Sequence, residues 1–149
     1  MNELTIAELA YIAGIVDGEG SIAISRYTYC GHYEYRLRVN ITLTYSDIPQ
    51  EMVELFGGTI SLRKPKKETH KLAYAWVISC NAAVDFLKQI QPYLRIKAEQ
   101  CRLGIEFQEV CHHRTNYYKT KTDIALEEEY WNKVTALNKK GHTLLWTPV

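Results

Sequence analysis

The sequence is poor in cysteine: four residues, Cys30, Cys80, Cys101 and Cys111, with no pair at C-x-x-C spacing. Thiols scattered in this way exclude a zinc ribbon and a secreted disulfide framework, and a reducing intracellular compartment (cytoplasm, nucleoid or organelle matrix) is expected. Long apolar runs are also missing. The longest uncharged one near the start, residues 9–16, follows the acidic Glu3 and Glu8 and falls far short of the ~20 residues that a membrane span needs. Neither a signal peptide, a membrane-spanning helix nor a membrane partner is expected. An excess of one charge is absent as well, because 18 Lys and Arg against 17 Asp and Glu leave +1, which excludes a histone-like binder. What is present is 46% apolar and 23% charged residues, the balance of a globular domain rather than a disordered chain. At 149 residues the chain supports one core that buries roughly 68–70% of its unfolded surface. Residues 1–149 are therefore read as one domain, with a core at about 6–111 and a helical extension at about 112–149.

The distribution of charge says more than its sum. Residues 1–20 carry only acids, Glu3, Glu8, Asp17 and Glu19, whereas residues 61–71 carry Arg63, Lys64, Lys66, Lys67 and Lys71 against Glu68 alone. A second basic stretch, Arg114, Lys119 and Lys121, is interleaved with Tyr117 and Tyr118 and followed by Glu127, Glu128 and Glu129. Basic residues among tyrosines suit phosphate contacts, although each cluster alone reads first as a solvated loop. Cys111, His112 and His113 stand together, but adjacent ligands on one helix point in different directions, so a helix end is the better reading than a metal site.

Period and punctuation place the elements. Leu9, Ile12 and Val16 share one face of a helix, and Ala10, Ala13, Gly14, Asp17 and Gly18 form a second stripe of small residues that invites close approach of another backbone. Gly14 inside a helix costs about 1 kcal/mol relative to Ala, which a tight helix-to-helix contact would offset. After Gly20 the period becomes two. Ile22 and Ile24 alternate with Ser21, Ala23, Ser25 and Tyr27; beyond a turn at Gly31, Leu37, Val39, Ile41 and Leu43 alternate with Arg36, Arg38, Asn40, Thr42 and Thr44. This is a hairpin with one donor-rich face. Ser46, Asp47 and Pro49 open a helix that Gly57 and Gly58 close. Ile60 and Leu62 alternate with Ser61 and Arg63, residues 72–79 form a fourth strand, and Asn81 is expected to cap a helix with the stripe Val84, Leu87 and Ile90. Two further helices are expected at 96–111 (Leu103, Phe107, Val110) and 122–138 (Trp131, Val134, Leu137), followed by a tail, His142 to Val149, apolar enough to dock. The order is αββαββα with helices appended.

Ile12-Ala13-Gly14-Ile15-Val16-Asp17-Gly18-Glu19-Gly20 matches the LAGLIDADG signature in residue class at all nine positions, and the chain thereby resembles the single-motif LAGLIDADG homing endonucleases. The likeness runs from about Leu9 to Gln100 and includes Gln91-Pro92-Tyr93-Leu94-Arg95-Ile96-Lys97; beyond about residue 112 nothing specific matches. A small-residue stripe that ends in an acid brings two carboxylates near a two-fold axis when two such helices meet. Like charges there are costly unless cations sit between them, and the helix carboxyl ends add negative partial charge.

The resemblance implies an α+β fold, an αββαββα core with an antiparallel, saddle-shaped sheet plus C-terminal helices, and site-specific, intron-homing DNA cleavage by metal-dependent phosphodiester hydrolysis. It implies that Glu19 ligates the catalytic Mg2+, with Ca2+ or Mn2+ able to substitute, that the Gly18 carbonyl is a further ligand, and that Asp17 structures the helix end and the interface. Lys97 corresponds to a basic residue near the scissile phosphate, and either Ser46 or Asp47 to a polar residue that orients water. Gln50 and Glu51 stand where some relatives carry a basic residue. A single motif copy requires a homodimer through Ala10, Ala13, Gly14, Asp17 and Gly18, reading a long, nearly palindromic duplex. Ser25, Tyr27, Arg36, Arg38, Asn40, Thr42 and Arg63 would face the groove, and Lys66 and Lys67 the phosphates. Paired carboxylates this close address phosphates facing each other across the minor groove, which implies 3′ overhangs. The rival readings are an RNA-binding maturase that assists splicing and a DNA-binding regulator without catalysis; the retained Glu19 and Lys97 favour the nuclease.

Overall fold

The computed structural model describes residues 3–111 and 119–139. Helix α1 (Ile6–Glu19) is opened by a capping box: the Glu8 N–H donates to Thr5 Oγ1 at 3.1 Å and the Thr5 N–H to the Glu8 carboxylate at 2.7 Å. It runs directly into β1 (Gly20–Tyr29), which returns as β2 (His32–Leu43) through a two-residue turn. Cys30 and Gly31 take positive φ angles of 48° and 81°, as a type I′ hairpin turn requires at both central positions. Then follow α2 (Asp47–Phe56), β3 (Thr59–Arg63), β4 (Ala73–Ser79), α3 (Cys80–Ile90) with a 3-10 turn at Gln91–Tyr93, α4 (Ala98–Cys111) and α5 (Lys121–Leu137). The αββαββα order is thus present, and α4 and α5 are appended to it.

All four strands pair antiparallel in the order β1-β2-β4-β3. Period-two alternation turns Ile22, Ile24, Tyr35, Leu37, Val39, Ile41, Trp76 and Ile78 to one face, where they are buried under the helices. Phe86 and Phe56 pack edge-on against each other with centroids 4.7 Å apart, and Trp76 donates its indole N–H to the Gly57 carbonyl at 2.8 Å. The opposite face keeps the polar alternates.

Several sequence expectations are corrected. Asn81 does not cap α3: the helix already begins at Cys80, and the Asn81 side-chain Oδ1 accepts from Gln108 Nε2 at 3.0 Å instead. Val110 is exposed, because α4 turns Leu103, Gly104, Phe107 and Cys111 inward. Lys119 is not offered to phosphate. Its ammonium lies 2.6 Å from Glu34 and 3.0 Å from the fully buried Glu127. Burial alone would raise the Glu34 carboxyl, but the Lys119 ammonium and His32 outweigh it and hold the group below its ordinary range. Lys119 is likewise raised, its two carboxylates outweighing the opposing effect of burial. Cys111 ends α4, as the sequence suggested, and the four cysteines form no disulfide with one another. His112, His113, Arg114, Tyr117, Tyr118 and the tail from His142 lie outside the described residues. No helix among the described residues is long and apolar enough to cross a membrane.

Candidate active site and nucleic-acid interface

The end of α1 is tied to the start of α4 by one side chain. Asp17 Oδ2 accepts the Arg95 N–H at 2.9 Å, and Oδ1 accepts those of Ile96 and Lys97 at 3.1 and 3.0 Å. These donors stand immediately before Ala98, where α4 begins, so a carboxylate satisfies N–H groups at the positive end of a helix. Lys97 reciprocates: its Nζ donates to the Asp17 carbonyl at 2.5 Å. The cation is thereby held at the carboxyl end of α1, two residues before Glu19, whose side chain is exposed. The sequence reading assigned Asp17 to the helix end and missed its partners, which lie 78 to 80 residues away.

Gly20 makes the close passage from helix to strand possible. A Cβ there would meet the Val16 Cα and carbonyl oxygen at 2.8 Å and the Asn40 carbonyl at 3.2 Å. Because Gly20 pairs with Ile41, the end of α1 is level with the carboxyl end of β2. Ser46 and Asp47 follow from that same end of the sheet, Ser46 Oγ donating to Asp47 Oδ1 at 3.4 Å and accepting no helix N–H as a cap. Gln50 and Glu51 are exposed on α2 and bring no cation.

The small stripe of α1 divides in two. Ala10, Gly14 and Gly18 are exposed, and a Cβ built on either glycine meets no atom within 4 Å. Ala13, expected on this stripe, is fully buried in the chain's own core. At about 100° per residue it stands only about 60° from Val16 on the helix, close enough to turn inward, and its single methyl lets α1 lie near its neighbours. Ile6 and Tyr11, 70% and 62% exposed, lie on the uncovered side of the helix. Ala10, Gly14 and Asp17 line a concavity of about 420 Å³ together with residues 92–95.

The outer sheet face collects the expected groove residues. Ser25 pairs with Arg36, Ala23 with Arg38 and Ser21 with Asn40; Thr42 and Arg63 join through β4, opposite Ala75 and Ala73. Arg36 Nη2 donates to the Tyr27 hydroxyl at 3.2 Å, with the guanidinium carbon 5.3 Å from the ring centroid. Tyr27, Arg36 and Arg38 line a concavity of about 480 Å³. Thr59 and Ser61, opposite Val77 and Ala75, share this face; the sequence reading left them out of the site, although the same period-two signal points to them. Lys66 and Lys67 are exposed in the β3–β4 connection.

Among the described residues no three His, Cys, Asp or Glu side chains gather as a metal site. What one chain offers a cation is the Glu19 carboxylate and last-turn carbonyls such as that of Gly18, hard oxygen donors suited to Mg2+ or Ca2+ but too few to complete a shell of six. The donor set fits a hard divalent cation and leaves coordination positions for ligands from elsewhere.

No protein-family model and no curated protein matches the chain. Solved structures do. The homing endonuclease I-CvuI in complex with its target superposes with a TM-score of 0.73 at 18% identity, covering 93% of this chain and 87% of that one. The archaeal intron-encoded homing endonuclease I-Vdi141I, complexed with DNA, gives 0.73 at 17%, covering 91% and 87%. The LAGLIDADG homing endonuclease I-GzeII gives 0.65 at 15%, covering 83% of this chain but only 43% of its own. With the nine-residue motif on α1, the sheet order and these superpositions in agreement, the chain has the fold of the LAGLIDADG homing endonucleases.

Proposed function

We propose that the chain is a homodimeric, site-specific DNA endonuclease that hydrolyses phosphodiesters with a divalent cation. The observation that carries this reading is the end of α1, where Glu19 projects exposed while Lys97 is fastened to the Asp17 carbonyl beside it. An ordinary surface lysine has no reason to be fastened, from a segment so distant in sequence, to the carboxyl end of the motif helix two residues before its exposed final acid. Glu19 and the Gly18 carbonyl from each of two copies would hold the cation, Mg2+ in the cell and Ca2+ or Mn2+ as substitutes. The cation supplies a Lewis acid that acidifies water and stabilises a leaving oxygen.

The chain's own groups do the rest. An ammonium has three donors, so Lys97 keeps two beyond the one given to Asp17 and can stabilise charge developing on a phosphate. Asp17 fixes that position. Ser46 or Asp47, at the same end of the sheet, orients water. The exposed stripe of Ala10, Gly14 and Gly18 lets two α1 helices approach to roughly 8–10 Å, which brings two Glu19 groups within reach of phosphates across a minor groove roughly 6 Å wide. The two strands are then cut with an offset that leaves 3′ overhangs. Ser25, Tyr27, Arg36, Arg38, Asn40, Thr42 and Arg63 face the bases of a nearly palindromic duplex, while Lys66 and Lys67 meet phosphates.

The test is selection of cleaved targets from a randomised duplex library with Mg2+, followed by Glu19→Gln on the selected site. Cleavage by the wild type and a loss of at least about a hundredfold in the variant, with binding retained, is expected. Full activity of Glu19→Gln would move the metal site elsewhere, and a duplex bound but never cut would favour a regulator.

A further inference from the structure

The β1–β2 hairpin reaches past the rest of the sheet. β2 pairs with β4 only from Arg38 onward, so residues 25–29 and 32–36 form a two-stranded ribbon. Such a ribbon alone is marginally stable in water. Yet Tyr27 and Arg36, which would have to hold a fixed geometry to select a base, are part of it.

Both residues that flank Tyr27 are gripped from the α5 side. Arg26 precedes it in sequence, and its guanidinium carbon lies 3.9 Å from the Trp131 ring centroid and 4.4 Å from that of Tyr33. Glu34 stands opposite Tyr27 in register and receives Lys119 Nζ at 2.6 Å, while the same ammonium holds Glu127 at 3.0 Å. Tyr35 adds a ring contact to Trp131 at 6.3 Å. The other end of the α5 segment is anchored independently, Asn138 Nδ2 donating to the Ile22 carbonyl at 2.7 Å. The grip leads to the reading side, because the Tyr27 hydroxyl accepts from Arg36 Nη2 at 3.2 Å. A guanidinium has five N–H donors in a planar fork, so one bond to Tyr27 fixes the fork and leaves donors for the O6 and N7 of a guanine.

We propose that Trp131 and Lys119 are positioning residues for base selection, holding Arg26 and Glu34 so that Tyr27 presents Arg36 to one guanine in each half-site. The proposal rests on the endonuclease reading and gives a task to the α5 segment, outside the αββαββα core. The partner it names is a guanine base edge in the major groove.

The experiment uses the full chain, in two arms. Without DNA, hydrogen exchange of the ribbon amides in Trp131→Ala should accelerate roughly two- to thirtyfold, the range set by one cation–π contact, while amides of residues 39–43 keep their protection. With DNA, base preference across the selected target should fall at one guanine position per half-site by about fivefold or more, the other positions holding. Trp131→Phe, which keeps a ring over Arg26, should restore most of both. If Trp131→Ala does not fold, Arg26→Gln at an exposed position must lose the same guanine. Unchanged preference in folded Trp131→Ala, or an equal loss at every position, overturns the proposal alone. A wild type without any base preference overturns the DNA reading and this proposal with it, and the exchange arm then reports whether the clamp exists.

Discussion

Helices α1 and α5 begin alike and end differently. Each opens with a Thr capping box, Thr5 with Glu8 and Thr120 with Asp123, and each buries one face against the sheet. On α5 the buried side is Glu127, Tyr130 and Val134, and the exposed positions are mostly polar, Glu128, Glu129, Asn132 and Lys133 with a Lys133–Glu129 ion pair at 3.0 Å, beside Ile124, Ala125 and Ala136. That is the pattern of a surface helix complete within one chain. On α1 the exposed residues are Ile6, Ala7, Ala10, Tyr11, Gly14 and Gly18, with charge only at the two ends, Glu8 and Glu19. Nothing in the monomer requires glycine at 14 or 18, where a side chain would meet open space, and glycine there costs helix stability. The comparison is what supports the proposed dimer: α5 is finished within the chain, whereas α1 leaves a small and apolar stripe uncovered.

The contrast breaks hardest at Gly14. Gly14→Leu should abolish dimerisation and cleavage while each chain stays folded, its helix strengthened by about 0.5–1 kcal/mol; sedimentation and thermal melting would show it. Asp17→Ala removes the acceptor of three main-chain donors and should cost about 2–3 kcal/mol in denaturant unfolding, and it should slow cleavage by releasing Lys97. On the finished helix the same style of change acts only locally. Val134→Ala should lower stability by about 1–2 kcal/mol and leave subunit stoichiometry unchanged.

The smallest effect is electrostatic. The Glu34 carboxyl is lowered from its ordinary 4.5 and the Lys119 ammonium raised from its ordinary 10.5. A lowered acid contributes stability that is present above its unfolded value and lost as pH falls through the folded one. A raised base contributes stability that is present below its unfolded value and lost as pH rises through the folded one. The docking of α5 should therefore be firmest between pH 4.5 and 10.5 and loosen on either side. Trp131 fluorescence across a pH series, compared with Lys119→Met, isolates this contribution.

Local pattern made much of this legible in the sequence. Alternation gave both faces of the hairpin, from Ile22 to Thr42, and residue class alone marked the nine-residue motif with Glu19 as its last acid. What stayed hidden depends on partners remote in sequence. Asn81 looks like a cap because the local context is right, but Gln108 claims its side-chain oxygen. Lys119 looks solvated until Glu34 and Glu127 arrive from two other elements. Ala13 lies at the border of two helix faces, where periodicity cannot decide which one it joins. The three amides that bind Asp17 belong to a segment with no period at all.

The central claim is that α1 completes itself only against a second copy. The most direct measurement is the mass of the complex on the selected duplex, by sedimentation equilibrium with Ca2+ in place of Mg2+ and with Gly14→Leu beside the wild type. The account predicts two wild-type chains on each duplex and no paired complex for the variant. One wild-type chain per duplex, in a preparation that cuts both strands once Mg2+ is added, would contradict it.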